Sequence, residues 1–151
     1  MAAQYVMQRD TSGWRRQVWI SFSLAAAACV VGVLWMPGQE LDRAFFAIGL
    51  FFCLFASFAL AKTVRDNRDG QVDSSSWVTT VWVAFGAAFL LTTWGLWRMN
   101  IGEWQKGYMV VSWLFLVSCT FTVAKTVRDK HEADLMDRVT SADADGRSAS
   151  K

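Results

Sequence analysis

Apolar residues fall into four long runs along the chain, and the charged residues collect in the stretches between those runs. The runs cover residues 18–36, 44–61, 77–97 and 108–124. A helix rises about 1.5 Å per residue, so runs of this length approach or reach the roughly 30 Å needed to cross the hydrocarbon core of a bilayer. None carries a polar stripe wide enough for the exposed face of a soluble helix. The pattern predicts an all-α membrane protein with four transmembrane helices.

Composition and aromatic placement support this interpretation. Charged residues make up only 19% of the chain, whereas soluble domains average about a quarter. Buried helices of a soluble bundle are the alternative, but they need polar helices to cover them and too few residues remain. Trp113 lies deep in its run, and we expect it to pack between helices. The other aromatic residues at the ends of the runs suit the headgroup region: Trp14, Trp19, Trp35, Trp77, Trp82, Trp94, Trp97, Trp104 and Tyr108.

Lysine and arginine are divided unequally between the two sides that four spans create. The segments before the first run, between the second and third runs and after the fourth run hold twelve of the fifteen basic residues. The two short hairpin loops hold only Arg43, Arg98 and Lys106. Because basic residues are retained on the cytoplasmic side of a membrane, we expect both termini and the central loop to lie in the cytoplasm.

Two short motifs near the first run resemble processing signals. Arg15-Arg16 resembles a twin-arginine export signal, and residues 26–29 (Ala-Ala-Ala-Cys) resemble a lipoprotein cleavage box. Apolar sequence continues after Cys29, however, where a lipoprotein would turn polar, and the matching position in the internal repeat is Thr92. We therefore interpret the arginines as a membrane anchor and the small residues as a packing patch.

The chain consists of two similar halves. A shift of 63 residues places residues 12–69 on residues 75–132 without a gap and gives 17 identities in 58 positions. Six consecutive residues agree at the end of each copy, from Ala61 to Asp66 and from Ala124 to Asp129. Each copy holds two spans, so both copies insert in the same orientation about a pseudo-twofold axis along the membrane normal. The sequence predicts two tandem, parallel-oriented helical hairpins that form a compact four-helix bundle.

Small residues predict where the helices approach one another, because close backbone approach drives helix association in lipid. They recur at four-residue spacing in both copies, at Ser21, Ala25 and Cys29 and at Ala84, Ala88 and Thr92. We expect the facing surface to be formed by Ala56, Ser57, Cys119 and Thr120. The expected organisation is a cytoplasmic N-terminal segment over 1–13, a first repeat over 14–69, a cytoplasmic linker over 70–76, a second repeat over 77–132 and a disordered cytoplasmic tail over 133–151.

The Lys-Thr-Val-Arg-Asp block that closes each repeat is the candidate interaction motif. Its charged residues are Lys62, Arg65, Asp66, Lys125, Arg128 and Asp129. A helix that continues past the bilayer would pair charges at i,i+4, namely Lys62 with Asp66, Arg65 with Asp69, Lys125 with Asp129 and Arg128 with Glu132. Basic residues at a cytoplasmic helix end also serve as plain anchors to anionic lipid. Anchoring requires only basic residues, yet the Thr and Val of the block are also identical in the two repeats. The block is therefore also a candidate docking patch for a protein partner or a lipid headgroup.

Other polar residues offer little chemistry. Cys29, Cys53 and Cys119 lie inside apolar runs and are interpreted as small hydrophobic residues rather than as a disulfide or zinc set. Glu40 and Glu103 match between the repeats and are interpreted as solvated loop residues, with cation binding as the alternative. The sequence contains no nucleophile with its base and no phosphate-binding glycine loop, and the spans carry no ionisable carboxylate or base of the kind that coupled carriers use. We expect no enzyme activity, cofactor, metal or nucleic-acid partner.

Three segments carry a family resemblance: residues 95–97 (Gly-Leu-Trp), 105–108 (Gln-Lys-Gly-Tyr) and 125–129 (Lys-Thr-Val-Arg-Asp). With the repeated two-helix unit, they resemble the YiaA/YiaB family of bacterial inner-membrane proteins over residues 14–132. The first copy keeps the terminal block at 62–66 but has Asp-Arg-Ala-Phe at 42–45. The resemblance implies a helical fold in the bacterial inner membrane and implies no mechanism.

These features favour a non-enzymatic accessory or scaffold protein over a small oligomeric transporter or channel. The expected partners are the lipid bilayer with its anionic headgroups and, through the small-residue surfaces, further copies of the chain or other membrane proteins.

Overall fold

The computed structural model describes residues 11–68 and 74–149, and this part of the chain forms four α-helices and no strand. They are α1 (Ser12–Trp35), α2 (Glu40–Arg68), α3 (Ser75–Arg98) and α4 (Glu103–Ala149). Each helix contains a segment long and apolar enough to cross a membrane, so the all-α class and the four predicted spans are confirmed. Residues 1–10 of the N-terminal segment, residue 69 of the first repeat, residues 70–73 of the linker and the last two residues lie outside the described residues.

Equivalent residues begin and end the first helix of each repeat. The hydroxyl of Thr11 accepts a hydrogen bond from the backbone N–H of Trp14, and the hydroxyl of Ser74 accepts one from Trp77, both at 3.3 Å. Ser and Thr are favoured at this position because they satisfy N–H groups that the helix leaves unpaired. After the helices, Met36 and Met99 both adopt extended backbone. The repeat therefore includes its caps and turns as well as its spans.

The second helix of each repeat extends well beyond its apolar run. α2 continues through its charged block to Arg68, as predicted. α4 continues to Ala149, which corrects the expectation of a disordered tail over 133–151. Residues 133–149 contain no proline, and their alanines, Leu135, Met136 and two arginines favour helix, although four aspartates and Gly146 favour it less.

Within each repeat the backbones of the two helices come close together at few points. Instead α1 packs along α4, and α3 packs along α2. The pseudo-twofold exchanges these two contacts, and α2 and α4 also pack against each other across it. In both α2 and α4 a larger share of the span is buried than in α1 and α3, so the pair forms the centre of the bundle. The sequence thus repeats as a helical hairpin, but the closest packing is between helices of different repeats.

Small residues occupy the interfaces between these helices, as predicted. Ala25 and Ala88 are fully buried, and so are Ser57 and Thr120 on the central pair. Core hydroxyls donate to carbonyls one turn back in their own helices, from Ser57 to Cys53 at 2.6 Å and from Thr120 to Leu116 at 2.8 Å. These bonds satisfy polar atoms that would otherwise be expensive to hold in an apolar interior.

Equivalent glycines let large side chains of the other repeat approach the outer helices. A Cβ on Gly95 of α3 would lie 2.5 Å from the ring of Phe45 on α2, and one on Gly32 of α1 would overlap Met109 on α4. Tyr108, the counterpart of Phe45, also lies beside Gly32 and donates from its hydroxyl to the carbonyl of Ala28 at 2.9 Å. Both cross-repeat pairs therefore use the same close approach.

The repeats differ where an aromatic cluster joins α3 to α4. Trp113 is buried against Phe89 with ring centroids 4.8 Å apart, which confirms that it packs between helices. The counterparts of Phe89 and Trp113 in the first repeat are Ala26 and Leu50. These smaller residues leave an apolar groove of about 200 Å³ between α1 and α2.

Candidate functional site

The two charged blocks lie at the same end of the bundle, on the central helices α2 and α4. Phe58, Lys62 and Arg65 share one face of α2, because residues three and four apart are neighbours on a helix. Phe121, Lys125 and Arg128 occupy the equivalent face of α4. Since α2 and α4 pack against each other, the repeat brings its two copies of the motif together.

A cleft of about 630 Å³ lies between these faces. It is lined by four equivalent pairs from the two repeats, with Trp19, Val123 and Val127 completing the wall: Phe58 and Phe121, Ala61 and Ala124, Lys62 and Lys125, Arg65 and Arg128. Its volume lies within the range of ordinary ligand sites, about 300–1,000 Å³. We call this feature the basic cleft. Its lining combines four basic side chains with aromatic and aliphatic ones.

The threonine of each block has a packing role. Thr63 is 1% exposed and Thr126 is 4% exposed, whereas Val64 and Val127 in the next positions are about half exposed. Burial therefore gives a structural reason for the threonine match between the repeats, but it does not account for the valine match. The charged residues on either side remain accessible from the cleft or from solvent.

Asp66 and Asp129 form ion pairs at a different spacing from the predicted i,i+4 one, whereas the predicted pairs of Arg65 and Arg128 involve side chains outside the described residues. The Arg65 Nε lies 3.4 Å from the Asp66 Oδ1, and the Arg128 Nη2 lies 3.1 Å from the Asp129 Oδ1. Asp66 and Asp129 thus pair with the preceding arginine rather than with Lys62 and Lys125. Both lysines line the cleft and are exposed. Asp69 lies outside the described residues, and so does the side chain of Glu132.

Charge in the basic cleft is therefore uneven. Each arginine has an aspartate beside it, whereas, among the described residues, neither Lys62 nor Lys125 has a carboxylate at ion-pair distance. Both lysines are exposed. Four cations and two carboxylates give the six motif residues a net charge of +2, and the two lysines carry the part that has no internal partner.

The remaining candidates lie apart from the cleft. Glu40 and Glu103 are the first residues of α2 and α4, where an acidic side chain stabilises the helix dipole. Glu103 also approaches Lys106 at 3.8 Å. Cys29, Cys53 and Cys119 are free and buried, and the described residues contain no grouping of His, Cys, Asp and Glu able to hold a metal ion.

Sequence reasoning missed the apolar part of the cleft. Phe58 and Phe121 match between the repeats and lie one turn before the charged block, so their identity was a usable signal. Trp19 comes from α1, and the pairing of α1 with α4 that brings it to the cleft has no signature in the sequence.

Comparison with known proteins bears on the whole chain. No curated protein and no solved structure matches it. A model of the yiaA/B two helix domain matches twice, over residues 14–66 and 77–129. Each match starts near the first residue of α1 or α3 and ends on the aspartate of the charged block. Because the two matches together cover well over half of the sequence, the chain belongs to the yiaA/B two-helix domain family and is a multi-pass membrane protein.

Proposed function

We propose that this protein is a non-enzymatic accessory component of the bacterial inner membrane that binds anionic lipid headgroups in its basic cleft. The observation that carries the proposal is the convergence of Lys62, Arg65, Lys125 and Arg128 on one cleft. Basic pockets between transmembrane helices, at the level of the headgroups, are suited to phosphate groups of anionic lipids. The lining residues provide attraction and apolar contact, which suit binding better than acid–base chemistry.

The same geometry supports a cytoplasmic position for the cleft. Twelve of the fifteen basic residues belong, by sequence, to the segments before the first span, between the second and third spans and after the fourth span, which include the charged blocks of the cleft. The positive-inside rule assigns the side of these segments to the cytoplasm. In this orientation the cleft faces the leaflet whose surface is most negative. Both termini then lie inside the cell.

The interior of the bundle favours binding over transport. Buried hydroxyls such as Ser57, Thr92 and Thr120 donate to carbonyls of their own helices. Side chains engaged in this way do not offer a polar path for a solute. An accessory protein that associates with lipid and with other membrane components needs no such path.

The experiment is a lipid-binding measurement on the full chain in a mild detergent. Lys62, Arg65, Lys125 and Arg128 are exchanged together for glutamine, and phosphatidylglycerol binding is counted by native mass spectrometry. We expect at least about a hundredfold weaker binding, since each basic residue near a membrane surface contributes about 1 kcal/mol.

The matched control exchanges Arg98 and Lys106, which lie at the opposite end of the bundle, for glutamine. This variant should bind lipid as the unaltered chain does. A cleft variant that elutes and unfolds normally yet keeps its full lipid affinity would refute the proposal.

A further inference from the structure

The charged residues of the basic cleft follow the symmetry of the repeat. Lys62 and Lys125 are related by the pseudo-twofold, and so are the Arg65–Asp66 and Arg128–Asp129 pairs. A ligand with a single phosphate can satisfy only one half of such a site at a time. A ligand that fits both halves carries two equivalent anionic groups.

Charge supports the same ligand. The motif residues carry a net charge of +2. Each arginine has an aspartate beside it, whereas no carboxylate of the described part of the chain lies at ion-pair distance from either lysine. A lipid with two phosphodiesters carries two negative charges, one for each lysine. The arginines are already paired with aspartates, so they would add hydrogen-bond donors to the phosphate oxygens with little further net charge.

The apolar wall fits the rest of such a lipid. Phe58 and Phe121 lie one turn before the lysines, on the side of the bilayer interior, and Trp19 flanks them from α1. Acyl chains attached to a headgroup in the cleft would run over these rings toward the hydrocarbon core. A soluble diphosphate would leave the aromatic wall exposed to water, so the wall favours a lipid.

We propose that the basic cleft selectively binds a diphosphatidyl lipid, with one phosphodiester at Lys62 and the other at Lys125. This inference rests on the proposed function and narrows it from anionic headgroups in general to one with two linked phosphates. The pseudo-twofold axis of the protein would coincide with the approximate twofold of the headgroup.

The test is a competition between two lipids supplied at equal total phosphate. The full chain in mild detergent is titrated with diphosphatidylglycerol and phosphatidylglycerol, and bound lipid is counted by native mass spectrometry. The variants are Lys62→Gln, Lys125→Gln and the double variant, which leave both Arg–Asp pairs intact. Arg98→Gln with Lys106→Gln serves as the control at the other end, and circular dichroism checks that every variant is helical.

We expect the unaltered chain to prefer the diphosphatidyl lipid. Each single lysine variant should lose about fivefold in affinity for it, and the double variant about 25-fold. The two single variants should lose similar amounts, because the two phosphates are bound equivalently.

Two results would overturn the inference, and they differ in what they leave standing. Equal binding of the two lipids, with both weakened in the lysine variants, refutes the selectivity for two phosphates but leaves binding of anionic headgroups intact. Unchanged binding of both lipids by the double variant refutes the lysine contacts, and the fourfold glutamine variant then decides whether the cleft binds lipid at all.

Discussion

Gly49 provides a sharp test of the packing between α2 and α3. A Cβ added at this position would lie 2.7 Å from the Oγ1 of Thr92 and 3.4 Å from its Cβ. Thr92 is fully buried, and its hydroxyl donates to the carbonyl of Ala88 at 2.8 Å and lies 3.3 Å from the sulfur of Cys53. The threonine therefore has no free direction in which to move, and Gly49→Ala must separate the helices.

The expected loss follows from three contributions. Overpacking a well-packed interface costs about 1–3 kcal/mol. Weakening the contact between Thr92 and Cys53 adds about 0.6 kcal/mol, the average for side-chain hydrogen bonds between membrane helices. Alanine in place of glycine offsets about 1 kcal/mol of this through helix propensity. We expect Gly49→Ala to lower the free energy of unfolding by about 0.6–2.6 kcal/mol.

The assay is reversible unfolding in mixed micelles of a mild detergent and dodecyl sulfate, followed by circular dichroism. Gly86→Ala is the matched control, because a Cβ at Gly86 would meet nothing within 4 Å. That substitution places the same residue in a neighbouring helix without the overlap. It should leave stability unchanged or raise it by up to about 1 kcal/mol.

A double-mutant cycle identifies the cause of the loss. Thr92→Ala removes the atoms nearest to the new Cβ, so the double variant should be more stable than the sum of the single effects by about 1–2 kcal/mol. A Gly49→Ala protein as stable as the control, or a cycle with no coupling, would refute the close approach of α2 and α3 at this point.

Two further predictions test the asymmetry between the repeats and the bond from α4 to α1. Ala26→Phe combined with Leu50→Trp installs the aromatic pair of the second repeat in the first; by filling the groove of about 200 Å³, it should raise the free energy of unfolding by about 1 kcal/mol. A loss of stability would refute the idea that the groove between α1 and α2 has room for the two aromatic rings. Tyr108→Phe removes the bond to the Ala28 carbonyl but keeps the ring found at the equivalent Phe45, and it should lower stability by about 0.6 kcal/mol in the same titration. A loss above about 2 kcal/mol would assign the hydroxyl a larger role than one membrane hydrogen bond.

The spans and the repeat could be predicted because each depends on one-dimensional information. Comparing the length of each apolar run with the bilayer thickness identifies the four spanning helices. Aligning the sequence with itself at a shift of 63 residues identifies the duplication. The faces of the helices could not be predicted in the same way. Phe46 is fully buried and Phe51 is 74% exposed, yet both are phenylalanines on α2. In lipid the outward face is as apolar as the core, so the polarity pattern that distinguishes faces in soluble helices is missing.

The small residues indicated some of the buried helix faces, because they allow two helices to approach closely in lipid as well as in water. Ala25 and Ala88 were predicted at interfaces and are fully buried. They do not identify the partner helix, however, since a small residue accepts any neighbour. The candidate site was also predicted only in part. The charged blocks were found from their identity, whereas their arginine–aspartate register and the contribution of Trp19 depend on packing that the sequence does not encode locally.

The crossed packing of the repeats explains why duplication matters to the site. If the closest packing lay within each hairpin, each charged block could lie against the first helix of its own repeat instead of facing the other block. In the observed arrangement α2 and α4 meet through equivalent faces, as identical subunits do in a twofold-symmetric interface. The basic cleft exists only where Lys62 and Arg65 of one copy face Lys125 and Arg128 of the other. A chain with a single two-helix unit could therefore build this cleft only as a homodimer, whereas the duplicated chain builds it within one molecule, where the two halves are free to diverge as Ala26 and Phe89 have done.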